Sequence, residues 1–165
     1  QAVHDSSSVT YPVFTAIAAP EVQNKLNGDF AIIAGPYLQN LATGGCELDY
    51  TLTFVSEKFI SMVFFGVLDE GEKEIFAKIP LNIDVQTGAQ LALGDVLNLR
   101  DADLLPVLRL LTKKDKVDFS KGIPESWYYN GTNFVFCQRS EIGEWLEATV
   151  AASDLKKFLL KPELF

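Results

Sequence analysis

Residues 46–68, CELDYTLTFVSEKFISMVFFGVL, decide how the rest of the chain is read. Cys46, Leu48, Tyr50, Leu52 and Phe54 alternate with Glu47, Asp49, Thr51 and Thr53. Successive side chains of a strand point to opposite faces, so this pattern predicts a strand with one buried face and one wet face. Ser56-Glu57-Lys58 reads as a turn, and Phe59 to Leu68 as the strand that runs back. DEGEKE, residues 69–74, reads as a second, solvated hairpin tip, and Glu74 to Val85 as a third strand. Three strands with short links predict an antiparallel meander.

Upstream, VTYPVFTAI, residues 9–17, is expected to be a first strand, with Pro12 marking an edge or an early bulge. Pro20 then opens a helix, since its missing N–H costs nothing in the first turn. Val22, Leu26, Phe30, Ile33, Tyr37 and Leu41 form one apolar stripe, with a kink expected before Pro36 and an end at Gly44-Gly45.

Downstream, PLNIDVQTGAQLALGDVLN, residues 80–98, reads as the end of a strand, a tight turn at Thr87-Gly88, a short return and a short helix with Asp95 near its positive end. A helix is expected from Asp101 to about Thr112, capped by Asp101 or Asp103. After a polar connection, WYYNGTNFVFCQR, residues 127–139, returns to strand around an Asn130-Gly131 turn. Leu146 to Ala151 is a further strand, and Ser153 is expected to cap a last short helix. The elements predict an α+β fold, with helices packed on one face of an antiparallel sheet.

The chain has 165 residues and a formal charge of −8, enough for one domain with a real core. The acidic balance argues against nucleic acid and anionic membrane surfaces, and would attract a basic partner. No apolar run approaches the ~20 residues a membrane helix needs. QAVHDSSSVT, at the start, reads as a mature terminus, with residues 1–8 a flexible tether behind a missing leader or anchor.

Reactive chemistry finds little support. Gly-x-Ser-x-Gly and Gly-x-x-x-x-Gly-Lys are both absent, and the single histidine, His4, falls in the tether. Two cysteines and one histidine cannot supply a four-ligand metal site, so neither metal nor cofactor is expected. Glu141, Glu144 and Glu147 are the only clustered carboxylates considered for glycoside chemistry, and they read better as a solvated rim. Cys46 and Cys137 stand either as two buried thiols or, in an exported protein, as a disulfide closing a loop of about 90 residues, worth ~4 kcal/mol by chain entropy.

The candidate binding residues are aromatic: Trp127, Tyr128, Tyr129 and Trp145, with Glu141 nearby in sequence. Such rings either stack on sugars and anchor interfaces or fill core.

Three pieces in order resemble a known pattern. They are the strand, Thr-Gly and LALGDVL element, the Leu-rich helix behind it, and NFVFCQRSEIGEWLEATVAASDLKKFL, residues 133–159. Together they resemble the RsiV-type extracellular domain, the DUF4163/DUF3298 pair, with the first half at about 9–80 and the second at about 81–165. Thr87, Gly88, Leu93, Asp95, Asn133, Phe134, Glu141 and Ile142 match the pattern as fold markers. GVLDEGEKEIF replaces the family's glycine–histidine element, Ser140 stands where an aromatic is common, and Glu144-Trp145 replaces Pro-Tyr.

The resemblance implies a single domain, extracellular or tethered to the envelope of a bacterium, largely Gram-positive. It also implies a non-catalytic binding or sensor module. Its partner would be a basic protein such as lysozyme, or peptidoglycan. A structural or accessory domain with no ligand of its own is the alternative.

Overall fold

Six consecutive residues of one strand, Phe59 to Phe64, are all buried, so both faces of that strand are covered. The computed structural model describes residues 7–17, 19–42, 45–69 and 74–165. Within it the buried strand, β3 (Phe59–Asp69), is the centre of a five-stranded sheet ordered β1 (Ser8–Val9), β2 (Cys46–Val55), β3, β4 (Glu74–Asp84) and β5 (Ala89–Gln90). All neighbours are antiparallel except β1 and β2.

Helix α1 (Pro20–Asn40) covers one face. It buries Val22, Leu26, Phe30, Ala34 and Tyr37 against Cys46, Leu48, Ile60, Met62, Phe64, Leu81 and Ile83. Pro20 is its first residue, as expected, and Pro36 lies inside its last turns. The predicted first strand shrinks to Ser8–Val9, and Ser8, assigned to the tether, already pairs with Glu47. The Thr10 N–H still donates to Leu48 O at 2.7 Å, and beyond it helix side chains hold the segment at Phe14 and Ile17. Asn27 Oδ1 accepts from the Phe14 N–H at 2.8 Å while its amide donates to Phe14 O at 2.9 Å. His4 and residues 70–73 of the charged hairpin tip lie outside the described residues.

The expected apolar face of β2 splits in two. The register with β3 shifts between Leu52 and Phe54, the mark of a bulge. One extra residue moves every following side chain to the other face. Cys46, Leu48 and Tyr50 therefore pack under α1, whereas Phe54 joins the opposite core and Leu52 is left exposed.

That second core belongs to a separate three-stranded sheet, so the expected single sheet is in fact two. Strands β6 (Ser126–Tyr129), β7 (Asn133–Arg139) and β8 (Trp145–Ala151) pair antiparallel in sequence order. α2 (Leu93–Val96), α3 (Leu104–Leu111) and 3₁₀ turns at Ala152–Phe158 and Pro162–Leu164 close over it. The short return after Thr87-Gly88 is two residues, with Gly88 at φ +66°, and Asp95 Oδ2 accepts from the Ala92 N–H at 2.8 Å at the start of α2.

The expected caps differ. Of the two candidates at α3, Asp101 Oδ1 accepts from the Asp103 N–H at 3.0 Å, whereas Asp103 makes no side-chain cap because its backbone is already helical, and Ser153 lies inside a 3₁₀ turn rather than before an α-helix. The α+β class stands, with α1 on the first sheet and the remaining helices on the second.

Candidate binding groove

The second sheet meets the first edge-on. Among the described residues β6 has a ladder partner on one side only, β7. Buried backbone groups on its free edge would each cost roughly 1–3 kcal/mol if unpaired. Side chains from the open face of the first sheet satisfy them. Asn82 Nδ2 donates to Trp127 O at 2.7 Å, and the Tyr129 N–H donates to Ser61 Oγ at 2.8 Å. Ser61 Oγ donates onward to Asn82 Oδ1 at 2.7 Å, and Thr53 Oγ1 donates to Tyr129 O at 2.7 Å. Ser61 and Asn82 face each other across β3 and β4, both buried.

This seam divides the face in two. On one side Trp127 and Tyr129 enter the second core. On the other, Tyr128 turns toward Lys78, with the ammonium 5.5 Å from its ring centroid. Beyond the seam the first sheet is uncovered. Phe65 and Phe76 remain 44% and 51% exposed although they sit on strands whose other residues build the core. Register brings them together: Phe65 pairs with Lys78, and Val67 with Phe76. Trp145, at the start of β8, forms the wall opposite.

The result is a trough in two reaches, 490 Å³ over Phe65, Val67, Lys78 and Glu47, and 670 Å³ beside Ile142, Glu144 and Glu147. Phe76 and Trp145 line both reaches.

Lys78 is the polar centre. Its side chain is only 12% exposed and forms an ion pair with Glu147 Oε1. Tyr128 Oη donates to the same oxygen at 3.0 Å, and the Phe65 ring lies 5.5 Å from the ammonium. One carboxylate and two ring faces thus hold the cation where water is largely excluded. Burial, reinforced by the Glu147 charge, raises the Tyr128 phenol well above its usual range, so this hydroxyl stays a donor.

Cys137 lies behind the pair. Burial and the Glu147 carboxylate push its thiol up to about 12, with Lys78 pulling the other way. An open chain ionises the thiol near 9.0, whereas the folded protein keeps it protonated. The unfolded state therefore binds fewer protons above that pH, and the thiol's contribution to stability is lost as pH rises from about 9 toward 12. Urea unfolding at pH 8 and pH 10.5 should show a smaller loss of stability for Cys137→Ala than for the parent chain.

Trp145 carries the oddest group. Its Nε1 is the one buried side-chain polar atom with no hydrogen-bond partner among the described residues. An indole N–H kept from water without an acceptor is unfavourable. Because the atom is closed to solvent, an acceptor in the trough reaches it only if the Trp145 ring turns outward.

The candidate residues from the sequence separate cleanly. Trp145 and Tyr128 stand at the trough. Trp127 and Tyr129 do not: at 2% and 4% exposure they are core, stacked among Phe59, Phe134 and Phe165. Consecutive strand residues alternate faces, so the Trp-Tyr-Tyr run could not act as one surface. Glu141 lies elsewhere. It is 95% exposed, 3.7 Å from Lys121, and does not line the trough.

Cys46 and Cys137 are both buried and free, so the disulfide is not formed. Cys46 packs beneath α1, its thiol 3.2 Å from Tyr37 O, while Cys137 lies on the other sheet beside Glu147. Phe65, Phe76 and Lys78 were not singled out from the sequence. Their signal is the phase of β3 and β4: they alternate with the residues that pack under α1.

Fold and groove together define an α+β domain with one open, aromatic-floored sheet face. No protein-family model matches the chain, and no curated protein matches it in sequence. Its fold is similar to that of a DUF3298 family protein from Pseudomonas aeruginosa PAO1. The TM-score is 0.60 at 13% identity, covering 88% of this chain and 83% of that one. A member of the DUF3298 family from Bacteroides fragilis NCTC 9343 is similar at a TM-score of 0.53 and 15% identity, covering 84% of this chain and 65% of that one. At these identities the likeness is one of fold. Among the described residues no helix is long and apolar enough to cross a membrane.

Proposed function

We propose that this chain is a non-catalytic binding or sensor module of a bacterial envelope protein, and that the trough is its binding site. The finer kinship proposed is with RsiV-type extracellular domains, with a DUF4163-like first half and a DUF3298-like second half. The proposed location is the cell surface, outside the membrane. The observation that carries the reading is the exposed pair Phe65 and Phe76 facing Trp145, whose N–H lacks an acceptor. Large apolar rings left in water beside one another are unusual on a surface with no partner. Aromatic floors of this kind take sugar faces or apolar side chains, and a buried donor adds specificity.

Two ligands follow from the chain's kinship and charge: soluble peptidoglycan fragments, and lysozyme, a basic protein drawn by a chain of net charge −8. Calorimetry with each should give binding to at least one. Trp145→Ala should weaken that binding at least tenfold while leaving the melting temperature within a few degrees, because Trp145 stands at the rim of the core. Trp127→Ala, by contrast, should unfold the domain. No binding of either ligand at high micromolar concentration would favour the second reading, an accessory domain whose aromatics serve packing alone.

A further inference from the structure

The geometry points to an extended peptide as the occupant of the larger reach, added as a fourth strand on the outer edge of β8; this rests on the binding reading above. Among the described residues β8 pairs with β7 and has no ladder partner on its other side. The hydrogen bonds fix which backbone groups face outward. The Thr149 N–H donates sideways to Asp115 Oδ2 at 3.3 Å, and Ser140 N donates to Glu144 O at 2.8 Å across the β7–β8 turn. In an antiparallel pair, inward and outward residues alternate. Ser140 and Glu144 bond inward, so Trp145, Glu147 and Thr149 turn their N–H and C=O groups away from β7. At Thr149 the edge is already closed by Asp115. At Trp145 and Glu147 no described residue bonds to it.

The trough runs along this open stretch. Glu144, Trp145, Leu146 and Glu147 all line it. Side chains of neighbouring strand residues point to opposite faces, so four consecutive lining residues mean that the strand presents its backbone edge. An exposed edge with free donors and acceptors is a template for another strand.

A peptide laid there would bond to the Trp145 and Glu147 backbone and send alternate side chains to opposite sides. One set would meet the ring of Phe76, with Ile142 nearby, 82% exposed. The other would meet the carboxylate of Glu144, with Lys116 the only cation among the lining residues. The occupant is therefore an extended segment alternating apolar and basic residues, in keeping with the chain's net charge of −8.

The probe is acetyl-(Val-Lys)4-amide, and its control is the same peptide N-methylated at every second residue, which cannot complete a ladder along one edge. The readout is amide hydrogen exchange of the ¹⁵N-labelled full chain. With the plain peptide, the Trp145 and Glu147 amides should slow at least tenfold. The methylated peptide should leave them unchanged. Glu147→Ala, which keeps the N–H but breaks the ion pair with Lys78, is the reference variant. Glu147→Pro, which removes the N–H from an edge that tolerates proline, should bind at least tenfold more weakly.

Equal binding of both peptides, or equal binding by the alanine and proline variants, would overturn strand addition. So would protection of these amides that rises with protein concentration alone, since the edge would then pair with a second copy. If peptidoglycan fragments or lysozyme bind through Trp145 while the peptide does not protect the edge, strand addition fails and the binding site stands. If none of the probes perturbs the trough, both fail.

Discussion

Asn82→Ala should cost about 3 kcal/mol of stability. Asn82 is 4% exposed and bridges the two sheets. Its amide donates to Trp127 O and its carbonyl accepts from Ser61 Oγ. Alanine strands both partners in a site closed to water, and each orphaned group costs roughly 1–3 kcal/mol. For a chain of this size a loss of that order lowers the melting temperature by roughly 6–12 °C. Ser61→Ala also strands two partners, the Tyr129 N–H and the Asn82 carbonyl, and should cost less only because no cavity of comparable size opens. The double variant should fall well short of the sum, since both changes disrupt one network. Thermal and urea unfolding of the three variants measure this directly. Additive losses would show that the seam is two independent contacts.

Gly66→Ala should destabilise by about 2–3 kcal/mol through crowding alone. Gly66 is buried on β3 beneath α1, and a Cβ built on it would lie 2.0 Å from Tyr37 Oη and 2.4 Å from Tyr37 Cζ. No left-handed backbone is involved, so the effect is steric rather than conformational. Tyr37 is itself 4% exposed, packed between helix and sheet, so its ring has little room to swing aside. Burial raises its phenol, with Cys46 adding to the effect, which is consistent with a ring pressed into the core. Pairing Gly66→Ala with Tyr37→Leu should recover part of the loss of the glycine variant relative to Tyr37→Leu alone. Urea midpoints of the four proteins in this cycle decide it. A Gly66→Ala chain as stable as the parent would mean that α1 stands farther from β3 than described.

The two predictions concern the two contacts that shape the groove: α1 closes one face of the central sheet, and the Ser61–Asn82 seam sets the second sheet across half of the other. The uncovered half is what remains. This explains why the meander was legible in the sequence and the groove was not. Alternation in residues 46–54 and the charged turns announce strands locally, as do the Pro20 helix start and the Thr87-Gly88 turn. The bulge that carries Phe54 to the other face leaves no local mark, because one extra residue in a strand looks like any other residue.

The same limit applies to the aromatic run. Trp127, Tyr128 and Tyr129 are adjacent in sequence, but which of them face inward depends on what lies on each side of β6. That is set by Asn82 and Ser61, 45 and 68 residues away from their partners in the chain. Conversely, Phe65 and Phe76 meet only through the β3–β4 register, in which Asp69 pairs with Glu74 and every earlier pair follows. Two buried thiols were as compatible with the sequence as a bridge. The fold decides for thiols by placing Cys46 under α1 and Cys137 on the other sheet.

The central claim is that the uncovered sheet face between Phe65, Phe76 and Trp145 is where this domain recognises its ligand. The most direct measurement is a ¹⁵N chemical-shift map of the chain titrated with soluble peptidoglycan fragments and, separately, with lysozyme. The account predicts that the Trp145 indole N–H moves downfield as it gains an acceptor, with shifts centred on Phe65, Phe76, Lys78 and Glu147. Binding with shifts clustered on another surface, and with the Trp145 indole unmoved, would contradict it.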